Sequence, residues 1–285
     1  MESEKKVRRP AFSGYFYMSD PNSLRNQIEE SFKSPIGPGE LPRLNERGKR
    51  GIVALVSPHA GYVYSGSVAA HGYHSLAEDG KPDLIVLIGP NHTGYGSGVS
   101  LMNSGVWETP LGRVEIDEET AGKILDVSRI IDVDASAHMR EHSLEVQIPF
   151  LQYTLGNFRF VPILMMMQNL KTSREVGGAV AKALEGKNSV IVASTDLTHY
   201  EPHASAKRKD TAVIEAILSL DEEKMMSLVY SLNVSMCGMG PVASAIYAAK
   251  TLGASEAKLL KYATSGDVTG DLSQVVGYAS LKMTL

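Results

Sequence analysis

Gly51-Ile52-Val53-Ala54-Leu55-Val56, followed at once by Ser57-Pro58-His59-Ala60-Gly61-Tyr62, is the stretch on which the fold turns. Its first six residues carry no polar side chain, and three of them are β-branched. A strand with one wet face alternates apolar and polar residues. An unbroken apolar run of this length reads instead as a strand covered on both faces, the habit of parallel sheets. The pattern recurs in Asp83-Leu84-Ile85-Val86-Leu87-Ile88, over 158–167 and in Ser189-Val190-Ile191-Val192-Ala193. Helical periodicity occupies 67–76, 143–155, 174–184, 206–220, 222–232 and 242–252. An earlier helix is predicted over 24–32, opened by Asp20 as cap and Pro21 at the first helical position. Two further strands, 258–263 and 275–281, close the chain, and 98–116 reads as an added β excursion. Buried strands alternating with helices predict one α/β domain over 11–285, with a central, largely parallel mixed sheet flanked by helices. Residues 1–10 are charged and are expected to fray.

Composition narrows the function. The 285 residues carry a formal charge of -4, against the basic balance of a nucleic-acid binder. No apolar run approaches the ~20 residues of a membrane span, and Met1-Glu2-Ser3-Glu4-Lys5-Lys6 lacks the apolar core of a secretion signal. With one cysteine no intrachain disulfide can form, and a cytoplasmic location is expected.

Ligands of open parallel sheets bind beyond the carboxyl ends of the strands. The residues found there are polar and Gly-punctuated: Ser57 to Tyr62, Gly89-Pro90-Asn91-His92-Thr93-Gly94, Ser194-Thr195-Asp196-Leu197-Thr198-His199-Tyr200, and Thr264-Ser265-Gly266-Asp267. His59 and His92 are therefore candidate ligands. Asp196 and His199 form a candidate pair in which the carboxylate orients the imidazole for acid/base work. His142 lies on a polar stretch able to reach the same rim, while Glu141 and Glu145 read as first-turn acids of the next helix. Cys237, in Ser235-Met236-Cys237-Gly238-Met239-Gly240-Pro241, precedes a helix start, where a thiol is expected to ionise readily and serve as nucleophile or soft ligand. His71 and His74 share a helix face opposite an apolar stripe and read as solvated. Met165-Met166-Met167 reads as strand packing, and Lys207-Arg208-Lys209 as a solvated face.

Taken together, Pro58-His59-Ala60-Gly61-Tyr62-Val63-Tyr64-Ser65-Gly66, Gly89-Pro90-Asn91-His92, Glu141-His142-Ser143-Leu144-Glu145-Val146-Gln147-Ile148-Pro149-Phe150-Leu151-Gln152, Ser194 to Tyr200 and Cys237-Gly238 resemble the Memo family, in family order from about residue 11 to the C-terminus. The resemblance implies a fold like that of class III extradiol (LigB-type) dioxygenases, non-haem iron enzymes of catechols. It implies a metal-type pocket at His59, His92 and Cys237, with Asp196 and His199 beside it and His142 as a further catalytic candidate. Phe16 stands where the family often has tryptophan, and Tyr62 and Asn91 complete the expected substrate pocket. Cys237 replaces the carboxylate of the dioxygenases, so the set is not their facial triad; two histidines and a thiolate suit copper, zinc or iron.

The leading expectation is a dioxygenase-like oxidoreductase with one transition-metal ion (iron or copper, with zinc as the further option) acting on a small molecule or peptide. The alternatives are a cysteine- or zinc-dependent hydrolase or transferase, and a binding module without turnover. In animals the family is linked to receptor signalling, cell motility and redox or metal handling. In microbes it stands beside radical SAM and AMMECR-type proteins, which the resemblance implies as partners.

Overall fold

The computed structural model describes residues 6–285. Twelve strands run in chain order: β1 Val7–Arg8, β2 Ile52–Ser57, β3 Leu84–Pro90, β4 Val99–Leu101, β5 Val106–Thr109, β6 Gly112–Ile116, β7 Asp132–Val133, β8 Arg159–Met165, β9 Ser189–Ser194, β10 His199–Glu201, β11 Glu256–Thr264 and β12 Val275–Thr284. The helices are α1 Pro21–Lys33, α2 Tyr62–Asp79, α3 Glu118–Val127, α4 Gln147–Leu155, α5 Leu170–Leu184, α6 His203–Leu218, α7 Glu222–Ser231, α8 Met239–Thr251 and α9 Ser265–Thr269. The strands join in the order β1-β5-β6-β8-β3-β9-β2-β12-β10, with β11 on β12 and the short pair β4, β7 beside β8. From β6 to β2 neighbours are parallel; β12 then runs antiparallel to β2. Because β11 is antiparallel to β12, it points the same way as β2, and its end reaches the same rim.

Side chains of the parallel strands leave alternately for the two faces. Val86, Ile88, Val161 and Ile163 pack with α3, α5, α6, α7 and α8. Ile85, Leu87, Phe160 and Val192 pack with α1, α2 and α4. This double cover is why these strands tolerate no polar residue. The excursion before residue 116 is resolved into β4, β5 and β6.

Several local expectations change. Of the segment expected to fray, Met1–Lys5 lie outside the described residues, but Arg8 is fully buried in β1. Its guanidinium pairs with the Glu145 carboxylate, donates to the carbonyls of His138 (3.1 Å) and Glu141 (2.8 Å), and lies 4.4 Å over the Trp107 ring. Glu145 is accordingly no first-turn acid. It also accepts from Tyr17 Oη (2.6 Å) and the N–H groups of Ala11 and Phe12 (both 2.9 Å), and α4 starts only at Gln147. Helix α2 begins five residues before the expected Ser67, since the Phe16 carbonyl accepts from Tyr62 N–H and supplies a cap absent from the local sequence. His71 and His74 are not solvated. The loop after α1 covers them, with the Ile36 carbonyl on His71 and Glu40 near His74. Strand β8 stops at Met165, leaving Met166 and Met167 at the surface rather than in the core.

Candidate metal centre

Sheet register brings the histidines together. Ser57 pairs with Ser194 at the ends of β2 and β9, and Pro90 ends β3 beside Met165. His59 and His92 each follow their strand end by two residues, so both imidazoles emerge at one rim. His142 arrives there because Ser143 is stapled beneath it: its Oγ donates to the Pro90 carbonyl (2.8 Å) and its carbonyl accepts from Ser194 Oγ (2.6 Å). The three rings meet with centroids 5.2 Å (His59–His92), 5.4 Å (His59–His142) and 4.6 Å (His92–His142) apart. One ring nitrogen from each lies within 4.8 Å of the other two.

Hydrogen bonding determines which nitrogens are free. The Ser194 hydroxyl has one proton, which goes to the Ser143 carbonyl. It accepts from Gln147 Nε2 (2.8 Å), so toward His59 Nδ1 (2.8 Å) it must also accept. His59 therefore carries its proton on Nδ1 and presents an Nε2 lone pair. The Glu141 carboxylate orients the other two. Oε1 accepts from His92 Nδ1 (3.0 Å) and the N–H groups of His142 (2.8 Å) and Ser143 (2.9 Å), and lies 3.2 Å from His142 Nδ1. A carboxylate behind an imidazole fixes its tautomer and raises its basicity toward a metal. Burial pushes the Glu141 carboxyl up, but the His92 hydrogen bond and the charges of His92 and His142 outweigh it and hold it at about 2. Burial, reinforced by the neighbouring imidazoles, drives His59 well below the ordinary histidine value; burial also brings His142 to about 4 against the pull of Glu141. These two rings are thus neutral near pH 7, as ligation requires.

His142 forms the third corner of the imidazole cluster that could hold an ion, and Cys237 converges on the same histidines as expected. The thiol lies beside the cluster, with Sγ 3.2 Å from His59 Nε2 and 3.2 Å from Asp196 N–H. Burial, then the Asp196 charge, pushes the thiol up, so the readily ionised thiol expected at a helix start is corrected. The Asp196–His199 pair is corrected too. Asp196 Oδ1 accepts from His59 N–H (2.8 Å), the carboxylate also takes the Ala60 N–H, and burial raises it to about 6. His199 Nδ1 faces two acceptors, the Leu197 (2.8 Å) and Ser235 (2.9 Å) carbonyls, and therefore holds a proton on that nitrogen. Both residues still line the cavity that opens over His59, His92 and His142, about 500 Å³ in volume.

Phe16 walls that cavity, its ring 4.6 Å from His142. Tyr62 does not: its hydroxyl donates to the Val146 carbonyl (2.6 Å) in the core, and Tyr64 takes the place expected for it. Asn91 is absorbed in its own turn, donating to the Tyr95 carbonyl (2.7 Å) and accepting from Thr93. Sequence reasoning missed the wall formed by Tyr64, Tyr200 and Tyr278. Tyr200 carries a signal visible only in three dimensions, a non-glycine φ of 56° at the rim. A larger open cleft of about 1050 Å³ lies at the amino ends of the strands; no histidine or cysteine lines it.

Fold and site define a mixed α/β protein with a cluster of three imidazoles, able to hold a metal ion, at the carboxyl rim of a largely parallel sheet. A family model described as Memo-like protein matches residues 8–282. A MEMO1 family protein of Methanopyrus kandleri is 54% identical over 277 residues (96% of this chain, 98% of that one), and one of Methanothermobacter thermautotrophicus is 53% identical over 277 (96% and 99%). The chain belongs to the Memo family. A crystal structure of an uncharacterized Escherichia coli K12 protein shares the fold, with TM-score 0.54 and 13% identity over 81% of this chain and 99% of that one. No helix among the described residues is long and apolar enough to cross a membrane.

Proposed function

We propose that the chain is a metal-dependent, dioxygenase-like oxidoreductase acting on a small molecule bound in the rim cavity. The observation that carries this is the convergence of three imidazoles, two oriented by Glu141 and one by Ser194, on one point at the cavity floor. The donor set fits a divalent first-row ion: imidazole suits iron, copper and zinc, and the carboxylate behind the rings is the usual supporting partner. His59, His92 and His142 would hold the ion; Cys237, 3.2 Å from His59 Nε2, is the alternative donor once it loses its proton. The ion would supply Lewis acidity and, if iron or copper, one-electron chemistry. The chain supplies the rest. Phe16 shields one side of the site, Asp196 accepts or returns a proton near its pKa of about 6, and His199 presents Nε2 to the cavity while carbonyls fix its other nitrogen.

The three-histidine set also favours a second reading, a zinc-dependent hydrolase in which the ion activates water. A cysteine nucleophile fits less well, because burial keeps the Cys237 thiol protonated. Metal analysis after purification without chelators tests the proposal. We expect one ion per chain, lost in His59→Ala and His92→Ala, with His142→Ala and Cys237→Ser identifying the third donor. Iron or copper with O₂ uptake supports the redox reading and zinc alone the hydrolytic one; unchanged occupancy in His59→Ala refutes both.

A further inference from the structure

The wall of the cavity away from the histidines has hydrogen-bonding groups that the protein does not use. Tyr278 is 2% exposed and lines the cavity, yet its hydroxyl makes no hydrogen bond among the described residues. The oxygen is not one of the fully buried unpartnered atoms, so it opens into the cavity with its O–H free for whatever enters there. The ring itself is held firmly. It belongs to a small apolar cluster with Val68 and Ala263, flanked by Ala60 and Val276, separate from the two main cores. Beside it Ser265 Oγ accepts from Val276 N–H (3.0 Å), leaving its own proton free, and Gln274 lines the cavity with its amide unengaged. Phe16, Tyr64 and Tyr200 also line the cavity, with Tyr64 and Tyr200 exposed at its mouth. No lysine or arginine lines it, and Asp196 does.

From this we infer that Tyr278 is a ligand-binding residue, donating its O–H to a carbonyl-type oxygen on a flat, uncharged ring held among the aromatic faces. The aromatic walls select a planar body. On the wall away from the histidines there is no lysine or arginine to pair with a phosphate or other strong anion, and the Asp196 carboxylate disfavours one there. The unpartnered phenol, with the free Ser265 hydroxyl as a lesser second donor, supplies the oriented contact that such a pocket uses for specificity. This deepens the metal-centre reading by naming the ligand class of the same cavity, but the contact needs no metal to form.

Coumarin is a suitable probe, being flat and neutral with one lactone carbonyl. Its binding to the full chain is followed by isothermal calorimetry, beside binding of indene, a ring of like shape without the oxygen. We expect Tyr278→Phe to weaken coumarin about tenfold, the loss of one oriented hydrogen bond, while indene binds both proteins alike. Circular dichroism and the melting curve of Tyr278→Phe establish that it is folded, and Ser265→Ala provides a second, independent variant expected to weaken coumarin by less. Equal affinity of coumarin for wild type and Tyr278→Phe, or no binding of coumarin to wild type, overturns the assignment. The metal reading fails separately: a chain that takes up no ion yet discriminates coumarin through Tyr278 refutes the metal centre and leaves this inference standing.

Discussion

Replacing Arg8 by methionine tests whether the N-terminal arm is a structural part of the site. In the native chain the Glu145 carboxylate is fully buried and its charge is balanced by Arg8 alone. Tyr17, Ala11 and Phe12 add three hydrogen bonds to it but no charge. Removing the guanidinium leaves a carboxylate in the interior with neutral donors only. It also frees the carbonyls of His138 and Glu141 and uncovers the Trp107 face. Breaking a buried pair from one side costs about 3–5 kcal/mol. At roughly 2–4 °C per kcal/mol for a chain of this size, the melting temperature should fall by about 10 °C. Adding Glu145→Gln should return part of that loss, since the orphaned charge is gone and the amide can still accept from Ala11 and Phe12. Urea unfolding of the two single variants and the double variant gives the coupling energy. A cost below about 1 kcal/mol for Arg8→Met, the range of an exposed pair, would refute the reasoning. Because Phe12 and Phe16 pack on His142 at 5.2 and 4.6 Å, the same variant should also weaken metal retention.

Three other outcomes follow from the structure. His138 is fully buried, and burial, helped by Arg8, outweighs a backbone contact with Ser100 and holds it at about 3. Its folded pKa lies below the unfolded value, so its neutral form favours folding above pH ~6.5 and that advantage is lost as pH falls. At pH 5 the penalty is ~2 kcal/mol, and His138→Phe should flatten the urea midpoint between pH 6.5 and 5; an unchanged slope counts against it. Glu141→Gln should lower metal affinity about 10–100-fold, the usual effect of losing a carboxylate behind ligating imidazoles, as read by competition with a chromophoric chelator; unaltered affinity would remove Glu141 from the site. At Gly238 a Cβ would sit 2.4 Å from the Ser194 carbonyl oxygen. Gly238→Ala should therefore cost about 1–3 kcal/mol and speed alkylation of Cys237 by iodoacetamide, which should be slow at neutral pH in the native chain; rapid native labelling would contradict the protonated thiol.

How much of this was legible in the sequence depends on the reach of each signal. The runs at Ile52, Leu84 and Ser189 declare buried parallel strands because burial on both faces excludes polar side chains, and strand-end position then points to His59 and His92. Glu145 and Arg8 lie 137 positions apart, so nothing near either residue shows that they meet. Local chemistry favours a first-turn acid, and tertiary pairing overrides it. Sequence proximity sets Asp196 against His199, three residues on, but the carboxylate spends its hydrogen bonds on the backbone after β2. A helix start points to a readily ionised Cys237, whereas its ionisation is set by burial and then by the Asp196 charge. Tyr278 gives no sign at all, because an aromatic residue in a strand is ordinary and only the missing partner for its hydroxyl marks it.

The sheet order has a consequence for how the protein is made. Strand β12 lies directly against β2, which is synthesised more than 200 residues before it, and it brings Tyr278 with it. A nascent chain therefore exposes an unpaired edge at β2 until β12 has emerged, and closing so distant a pairing is intrinsically slow. Such edges invite wrong neighbours. A chain truncated before residue 275 would retain all three histidines but have an open cavity and an uncapped sheet, so any ion it took up would be held without the chamber in which to use it.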